Sequence, residues 1–153
     1  MSRIHVPVAL RWADLDAYGH VNNGVMLRLL EEARIQVFWA GGEGSSSTAL
    51  IENGPDASTL TFIARQEIEY LAPLPYLRRP VDIQVWIGAL GGASIDVCYE
   101  VFSPVGDPDP VLYARAATTV VLVDAATQRP RRMTEDERAA WSAHLDAPIE
   151  FRR

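Results

Sequence analysis

DLDAYGHVNNGVMLRLLEEAR, residues 14–34, changes character halfway along. Its first half crowds together two aspartates, a glycine, a histidine and two asparagines, and its second half has the spacing of an amphipathic helix. From Asn23 to Ala40 the apolar residues fall on one wide arc, which predicts a helix of about five turns that Gly41 and Gly42 end. An apolar arc this wide favours a helix wrapped by a curved sheet, with the polar cluster at its N-terminus.

Five further segments alternate apolar and polar residues, the period of a strand with one buried face. These segments are residues 4–12, 61–70, 81–90, 93–103 and 111–124. The inward-facing residues predicted for the second of these strands are Phe62, Ala64, Ile68 and Tyr70. Gln66 breaks the apolar row of that strand.

The order of these elements predicts an α+β protein. Residues 134–145 open with Thr134 and Glu137 in capping-box spacing, which indicates a short C-terminal helix. Short turns between consecutive strands favour an antiparallel sheet with the long helix on one face. We expect one domain over residues 1–153. The exposed edges of such a sheet favour pairing with a second copy, at least as a homodimer.

Composition argues against several classes of protein. The net charge of −6 argues against general nucleic-acid binding. No run of about 18 apolar residues occurs, so we expect no membrane span. The N-terminal residues lack the apolar run of a signal peptide, which favours a cytoplasmic location. The single cysteine, Cys98, lies in an alternating apolar stretch typical of a packing residue, and the three histidines lack metal-ligand spacing, so we expect no metal.

The polar cluster before the helix has a structural and a chemical interpretation. Taken singly, Asn22 or Asn23 can cap the helix, and Asp14 and Asp16 gain from its dipole. A cap needs only one side-chain acceptor, however, and the cluster offers several. Free N–H groups at a helix start can hold developing negative charge, and Asp16 can fold back over a tight Ala-Tyr-Gly turn to face them. That pairing predicts hydrolysis of an activated acyl group.

The same residues resemble the signature of the 4-hydroxybenzoyl-CoA thioesterase family of the hotdog-fold superfamily. There, D-x-D-x-x-G-(H/x)-V-N-N precedes a helix containing E-E-A-R, as in residues 14–34. ARQEIEYLAPLPY, residues 64–76, is similar to a second family segment that ends in an acidic residue, tyrosine and a nearby proline. The resemblance implies a hotdog fold, a curved five-stranded antiparallel sheet wrapped around one long helix, plus the short C-terminal helix. It also implies an acyl-CoA thioesterase that needs no cofactor and acts as a homodimer or homotetramer.

The resemblance assigns roles position by position. Asp16 matches the catalytic aspartate, which acts as nucleophile on the thioester carbonyl or as general base for water. Asn23 matches the position whose backbone N–H polarises that carbonyl. Substrate contacts are expected from Gly19, His20, Val21 and Asn22. Asp14 is expected to stabilise the turn.

Several residues outside the turn are further candidates. Gln66 either lines the site across the dimer or is an ordinary interface amide. Arg78 and Arg79 are candidates for binding the CoA phosphates, although chance surface clusters are an equal interpretation and PLPYLRRP replaces the family's usual glycine–aspartate turn. Arg129, Arg131 and Arg132 are candidates of the same kind. Arg34 projects into the apolar arc of the helix, so we expect an ion pair with Glu31.

Three functional hypotheses follow from the resemblance. The leading one is hydrolysis of an acyl-CoA, with the acyl chain in an apolar slot at the dimer interface. The alternative is a non-catalytic hotdog module that binds acyl-CoA as a sensor or carrier. A hotdog dehydratase or hydratase would use a histidine with a carboxylate in a different arrangement, which the sequence does not show. No motif separates CoA from acyl-carrier protein or encodes the length of the acyl chain.

Overall fold

The computed structural model describes residues 3–41 and 47–152. Its elements are β1 (Ile4–Val8), α1 (Asn23–Phe38), β2 (Thr59–Tyr70), β3 (Val81–Leu90), β4 (Ser94–Phe102), β5 (Leu112–Asp124) and α2 (Glu135–Ser142). A short 3₁₀ turn, Trp12–Asp14, lies between β1 and α1. All pairings in the five-stranded sheet are antiparallel, in the order β1-β3-β4-β5-β2. The predicted α+β class and order of elements are therefore confirmed.

Helix α1 begins at the predicted residue and ends slightly early. Asn22 caps its start, and one apolar side of the helix packs on β1 and β3. The helix ends at Phe38 because Trp39 is already extended, two residues before the predicted end at Ala40. Gly41 follows with a φ of 97°. Gly42, the second half of the predicted stop signal, lies outside the described residues.

Strand β2 contains a bulge that changes which residues face the helix. Between Ile63 and Arg65 the register with β5 shifts, so Ala64 is an extra residue. One extra residue moves the alternation by one position, because successive side chains in a strand point to opposite faces. The inward orientation predicted for Phe62 and Ala64 is therefore wrong, and Ile63 takes the helix-facing side in front of the bulge. The predicted inward orientation of Ile68 and Tyr70, beyond the bulge, is confirmed.

Helix α2 closes the end of α1 that lies opposite the polar cluster. The predicted capping box between Thr134 and Glu137 is present. Trp141 is fully buried, meets Phe38 edge-on with ring centroids 6.0 Å apart, and donates its indole N–H to the carbonyl of Thr48. The open end of the helix is therefore its N-terminus. Within residues 3–41 and 47–152, neither helix is long and apolar enough to cross a bilayer.

Candidate active site

The chain between the 3₁₀ turn and α1 folds into a tight turn around the Asp16 carboxylate. The Asp16 N–H donates to the His20 carbonyl at 2.7 Å, and Gly19 has a φ of 77°, which other residues rarely adopt. Oδ1 of Asp16 accepts from the N–H groups of Tyr18 at 2.8 Å and His20 at 3.2 Å. Oδ2 has no hydrogen-bond partner among the residues that the structure describes. One oxygen is held by the main chain, and the other is available for chemistry.

Asp14 anchors the base of this turn, as predicted. Its side chain is buried, accepting from the Arg11 N–H at 2.7 Å and from the Arg11 guanidinium at 3.0 Å. Its carbonyl accepts from the Asn22 N–H at 2.9 Å. Both carboxylate oxygens are therefore occupied, which leaves Asp14 a structural role.

Asn22 caps α1 and leaves one helix amide without a partner. Its Oδ1 accepts from the N–H groups of Gly24 at 2.8 Å and Val25 at 3.3 Å, and its carbonyl accepts from Met26 at 3.0 Å. In the described part of the chain, the Asn23 N–H is the one amide of the first helical turn that has no acceptor. Lying at the positive end of the helix dipole, this N–H is suited to bind an oxygen that carries or gains negative charge.

Tyr70, the last residue of β2, holds the start of the helix from the opposite side. Its hydroxyl donates to the Asn23 carbonyl at 2.6 Å. Burial raises the pKa of Tyr70 above its ordinary value, so the phenol keeps its proton and remains a donor. Tyr70 is not among the residues that the sequence predicts for the site. The sequence feature that could have identified Tyr70 is its position: it is the last inward-facing residue of β2, directly before the proline-rich turn.

These groups share one open cavity of about 590 Å³. Its polar side is formed by Asp16, His20, Asn22 and Asn23, and its apolar side by Val21, Met26, Tyr70, Leu71 and Leu74. The structure thus brings the predicted catalytic pair and most of the predicted substrate contacts together, with Gly19 in the turn behind them. Asp16 and Asn23 both line this cavity, and no hydrogen bond joins them in the described residues.

The arginines proposed for phosphate binding lie elsewhere. Arg79 donates to the Val105 carbonyl and lines a separate cavity of about 200 Å³. Arg78 is exposed in the turn after β2 and has no hydrogen bond or ion pair within the described ranges. Arg131 is committed to Glu137, with two N···O distances of 2.7 Å. Of these three, Arg78 is the one that is free to reach a phosphate.

Gln66 lies outside the cavity, at the end of a buried polar chain. Arg34 is 8% exposed and donates to the Tyr99 hydroxyl at 3.0 Å. Its predicted partner Glu31 is exposed and lies at 3.7 Å, so the ion pair exists but is long. Burial raises the pKa of Tyr99, and the neighbouring Arg34 and Thr118 side chains offset part of that rise. Thr118 in turn donates to Gln66 Oε1 at 3.3 Å.

Among the described residues, neither the cysteine nor any cluster of possible metal ligands forms a second candidate active site. Cys98 is buried, as predicted, and burial raises the pKa of its thiol, which favours the protonated form. No group of three or more His, Cys, Asp or Glu among the described residues is placed to hold a metal ion. The Asp16 cavity is therefore the candidate active site.

Comparison with known proteins identifies the class. Residues 10–146 match the model of the thioesterase-like superfamily, so the chain belongs to that superfamily. The PA2801 protein of Pseudomonas aeruginosa is 28% identical, with a TM-score of 0.69, covering 91% of this chain and 96% of that one. A thioesterase from Thermus thermophilus, solved with coenzyme A and zinc, is 27% identical, with a TM-score of 0.67 and coverages of 92% and 93%.

Other comparisons bear on the fold alone or find nothing. The PA5185 protein of Pseudomonas aeruginosa has a TM-score of 0.77 at 20% identity, and the match covers 95% of this chain and 94% of that one. No protein with a curated description is significantly similar in sequence. The family match and the shared architecture confirm the predicted hotdog fold and the predicted class of enzyme, a thioester hydrolase.

Proposed function

We propose that this hydrolase cleaves acyl-CoA to a free acid and CoA, with Asp16 and Asn23 as its catalytic pair. The observation that supports the proposal is that Asp16, which has an unpaired Oδ2, and Asn23, which has an unpaired N–H, line one cavity in the described part of the chain. A thioester carbonyl bound between them receives the amide hydrogen bond on its oxygen as negative charge develops there. The Thermus thermophilus relative solved with coenzyme A supports CoA as the thiol part of the substrate.

Two routes fit this geometry. As nucleophile, Oδ2 bonds to the carbonyl carbon, the C–S bond breaks, and the thiolate leaves with its electron pair; water then cleaves the mixed anhydride. As general base, the carboxylate takes a proton from water, whose oxygen adds to the carbonyl carbon before the thiolate leaves. The hydrogen bonds from Tyr18 and His20 serve both routes, because they fix the plane of the carboxylate. Rapid quenching with hydroxylamine separates the routes, since a hydroxamate on Asp16 marks the anhydride.

Substitution of Asp16 tests the proposal directly. Asp16→Asn and Asp16→Ala are expected to fold normally and to lose about 10²–10⁴-fold in thiol release, the usual contribution of a positioned acid or base. The assay is release of CoA thiol from short, long and aromatic acyl-CoAs. Asp109→Asn, which alters an exposed carboxylate in the β4–β5 loop, is the matched control and is expected to behave as wild type.

The outcomes discriminate between the functional hypotheses. An Asp16→Ala enzyme that hydrolyses the panel as fast as wild type would contradict the assigned role of Asp16. Saturable acyl-CoA binding by the wild-type protein without release of thiol would support the alternative, a non-catalytic binding module.

We further infer that a second copy pairs with strand β2. β2 and β1 are the two edges of the sheet, but β1 has only five residues and contains Pro7, which has no N–H to donate. β2 is long, and its side chains Phe62, Ile63 and Tyr70 are 48%, 42% and 50% exposed. An exposed apolar edge strand favours pairing, which supports a homodimer that can assemble further into a homotetramer. The single domain and the cytoplasmic location stay predictions.

A further inference from the structure

A second groove lies beside the catalytic cavity, between strand β1 and helix α1. Its volume is about 380 Å³, which is within the range of small-molecule sites. Asp14 and Val25 line this groove, whereas Asp16 and Met26 line the catalytic cavity. The catalytic turn and the first turn of α1 thus contribute residues to both cavities.

The charges in the groove are unevenly distributed. Arg11 and Arg28 both line it. The Arg11 guanidinium is paired with the buried Asp14 carboxylate at an N···O distance of 3.0 Å, so these two charges largely cancel. Arg28 is exposed and has no hydrogen bond or ion pair in the described part of the chain. Glu32, the other carboxylate of the groove, lies one helical turn farther from the start of α1. The groove is therefore cationic near the catalytic turn and anionic one turn beyond it.

The remaining walls of the groove suit a flat ring. Pro7, Val8 and Leu29 contribute apolar surface on both sides, from β1 and from α1. A purine base presents apolar ring faces, and the amino group of adenine is a hydrogen-bond donor that the Glu32 carboxylate can accept. The groove thus combines a free guanidinium with an apolar slot and an acceptor, which is the chemistry that recognises an adenine nucleotide.

We propose that the nucleotide half of CoA binds in this groove, with Arg28 as its phosphate-binding residue. A guanidinium can donate to two phosphate oxygens at once. About a dozen bonded atoms separate the sulfur of CoA from its phosphates, an extended reach of roughly 14 Å at the span of a polypeptide backbone. A helix with its side chains is about 10–12 Å wide, so the arm is long enough to pass from Asp16 around the start of α1 to Arg28. This inference rests on the proposed acyl-CoA hydrolysis.

The test presents one acyl group on two thiols. The acyl group that wild type releases fastest is assayed as its CoA thioester and as its pantetheine thioester, which lacks the nucleotide and the phosphates. Arg28→Gln is expected to raise KM for acyl-CoA about tenfold or more, the usual effect of a charge-assisted hydrogen bond, and to leave kcat unchanged. KM for acyl-pantetheine should stay at the wild-type value, because that substrate does not reach Arg28. Arg28→Lys keeps the charge and should recover part of the affinity for acyl-CoA.

The matched control is Arg138→Gln, which changes an exposed arginine of α2, at the closed end of α1. It is expected to behave as wild type on both substrates. The proposal is overturned if Arg28→Gln leaves KM for acyl-CoA unchanged, or raises KM equally for both thioesters. A CoA-selective rise in Arg78→Gln without one in Arg28→Gln would also overturn it, since the phosphates would then bind at the turn after β2. Absence of thiol release from every acyl-CoA would instead contradict the proposed function, which keeps the two failures distinguishable.

Discussion

Asp14 and Asp16 lie two residues apart and have very different surroundings. Both oxygens of Asp14 accept from Arg11, whereas Asp16 engages one oxygen and leaves the other without a partner among the described residues. The same contrast separates Asn22, whose side chain caps α1, from Asn23, whose amide is left without an acceptor. Folding satisfies nearly all buried polar groups. The groups left without a partner at one cavity are therefore the candidates for contact with a substrate.

The Tyr70 hydroxyl is expected to act as a positioning group for the Asn23 amide. Tyr70→Phe removes its hydrogen bond to the Asn23 carbonyl and keeps the ring. Since such a bond is worth about 1 kcal/mol, we expect kcat to fall about fivefold. KM should be unchanged, because the amide acts mainly on the developing oxyanion. Steady-state kinetics measure both constants.

Tyr18→Phe is the matched control for this prediction. Tyr18 lines the same cavity and is 85% exposed, and its hydroxyl makes no hydrogen bond within the described ranges. Equal losses of kcat in Tyr18→Phe and Tyr70→Phe would argue against a positioning role for Tyr70, as would a change confined to KM.

At the scale of elements, each helix begins with a cap that the sequence supplies locally. Asn22 at α1 satisfies two backbone N–H groups, and Thr134 with Glu137 forms a reciprocal box at α2. The two caps differ in what lies beyond them. Asn22 lines the candidate active-site cavity, whereas Glu137 also binds Arg131 and so holds α2 against the segment that follows β5.

Loss of the α1 cap is expected to lower stability. Asn22→Ala leaves the N–H groups of Gly24 and Val25 without their acceptor, at a cost of about 1 kcal/mol in the free energy of unfolding. Urea denaturation measures the change. Asn22→Ser keeps an acceptor and should recover most of the loss; a Ser variant as unstable as the Ala variant would show that the side chain acts by something other than capping.

The docking of α2 is expected to weaken in acid. Burial by itself would raise the pKa of Glu137, but the hydrogen bonds from Arg131 and Thr134 outweigh it and hold that pKa below the ordinary value of 4.5. A carboxyl with a lowered folded-state pKa stabilises the fold above 4.5 and loses that contribution as the pH falls through the folded value. We therefore expect the urea midpoint of wild type to drop more steeply below pH 4.5 than that of Glu137→Gln.

The control for the acid prediction is Glu135→Gln, an exposed carboxyl in the same helix. The urea midpoint of Glu135→Gln should fall below pH 4.5 as steeply as that of wild type. Parallel pH profiles for wild type and Glu137→Gln would assign the acid sensitivity to other groups.

At the scale of the whole molecule, the helix covers one part of the sheet and leaves another open. α1 packs on β1 and β3, whereas Phe62, Ile63 and Tyr70 of β2 are about half exposed. The cavity, which Tyr70 lines, and the proposed dimer edge are therefore both found on the β2 side. If the proposed dimer forms on this strand, its interface lies beside the candidate active site.

A charge on the β2 edge is expected to disrupt the dimer. Phe62→Lys places like charges near each other across the proposed seam and should weaken self-association at least about tenfold. Sedimentation velocity over a range of protein concentrations measures the self-association of both proteins. Val105→Lys changes an apolar residue that is 69% exposed in the β4–β5 loop and should leave assembly unaltered. A wild-type protein that sediments as a monomer at micromolar concentration would contradict the proposed interface.

Prediction from the sequence succeeds where the signal is local. The start of α1 at Asn23 follows from a change of period and a neighbouring cap, and both can be read within a few residues. The bulge at Ala64 is missed, because one inserted residue in an apolar strand leaves no pattern of its own. Tyr70 is missed as a site residue because its partner lies 47 residues away.

From the sequence alone follow the order of elements, the capping box of α2, the choice of Asn22 or Asn23 as the cap of α1, and a turn that places Asp16 ahead of a helix start. These depend on periodicity and on hydrogen bonds that span only a few residues. Packing decides that the Asn23 amide stays without an acceptor in the described residues, that the Tyr70 hydroxyl binds the Asn23 carbonyl, and that Arg79 lines a different cavity. Whether a polar group is left free depends on partners from distant strands, and a chain acquires those partners only when it packs.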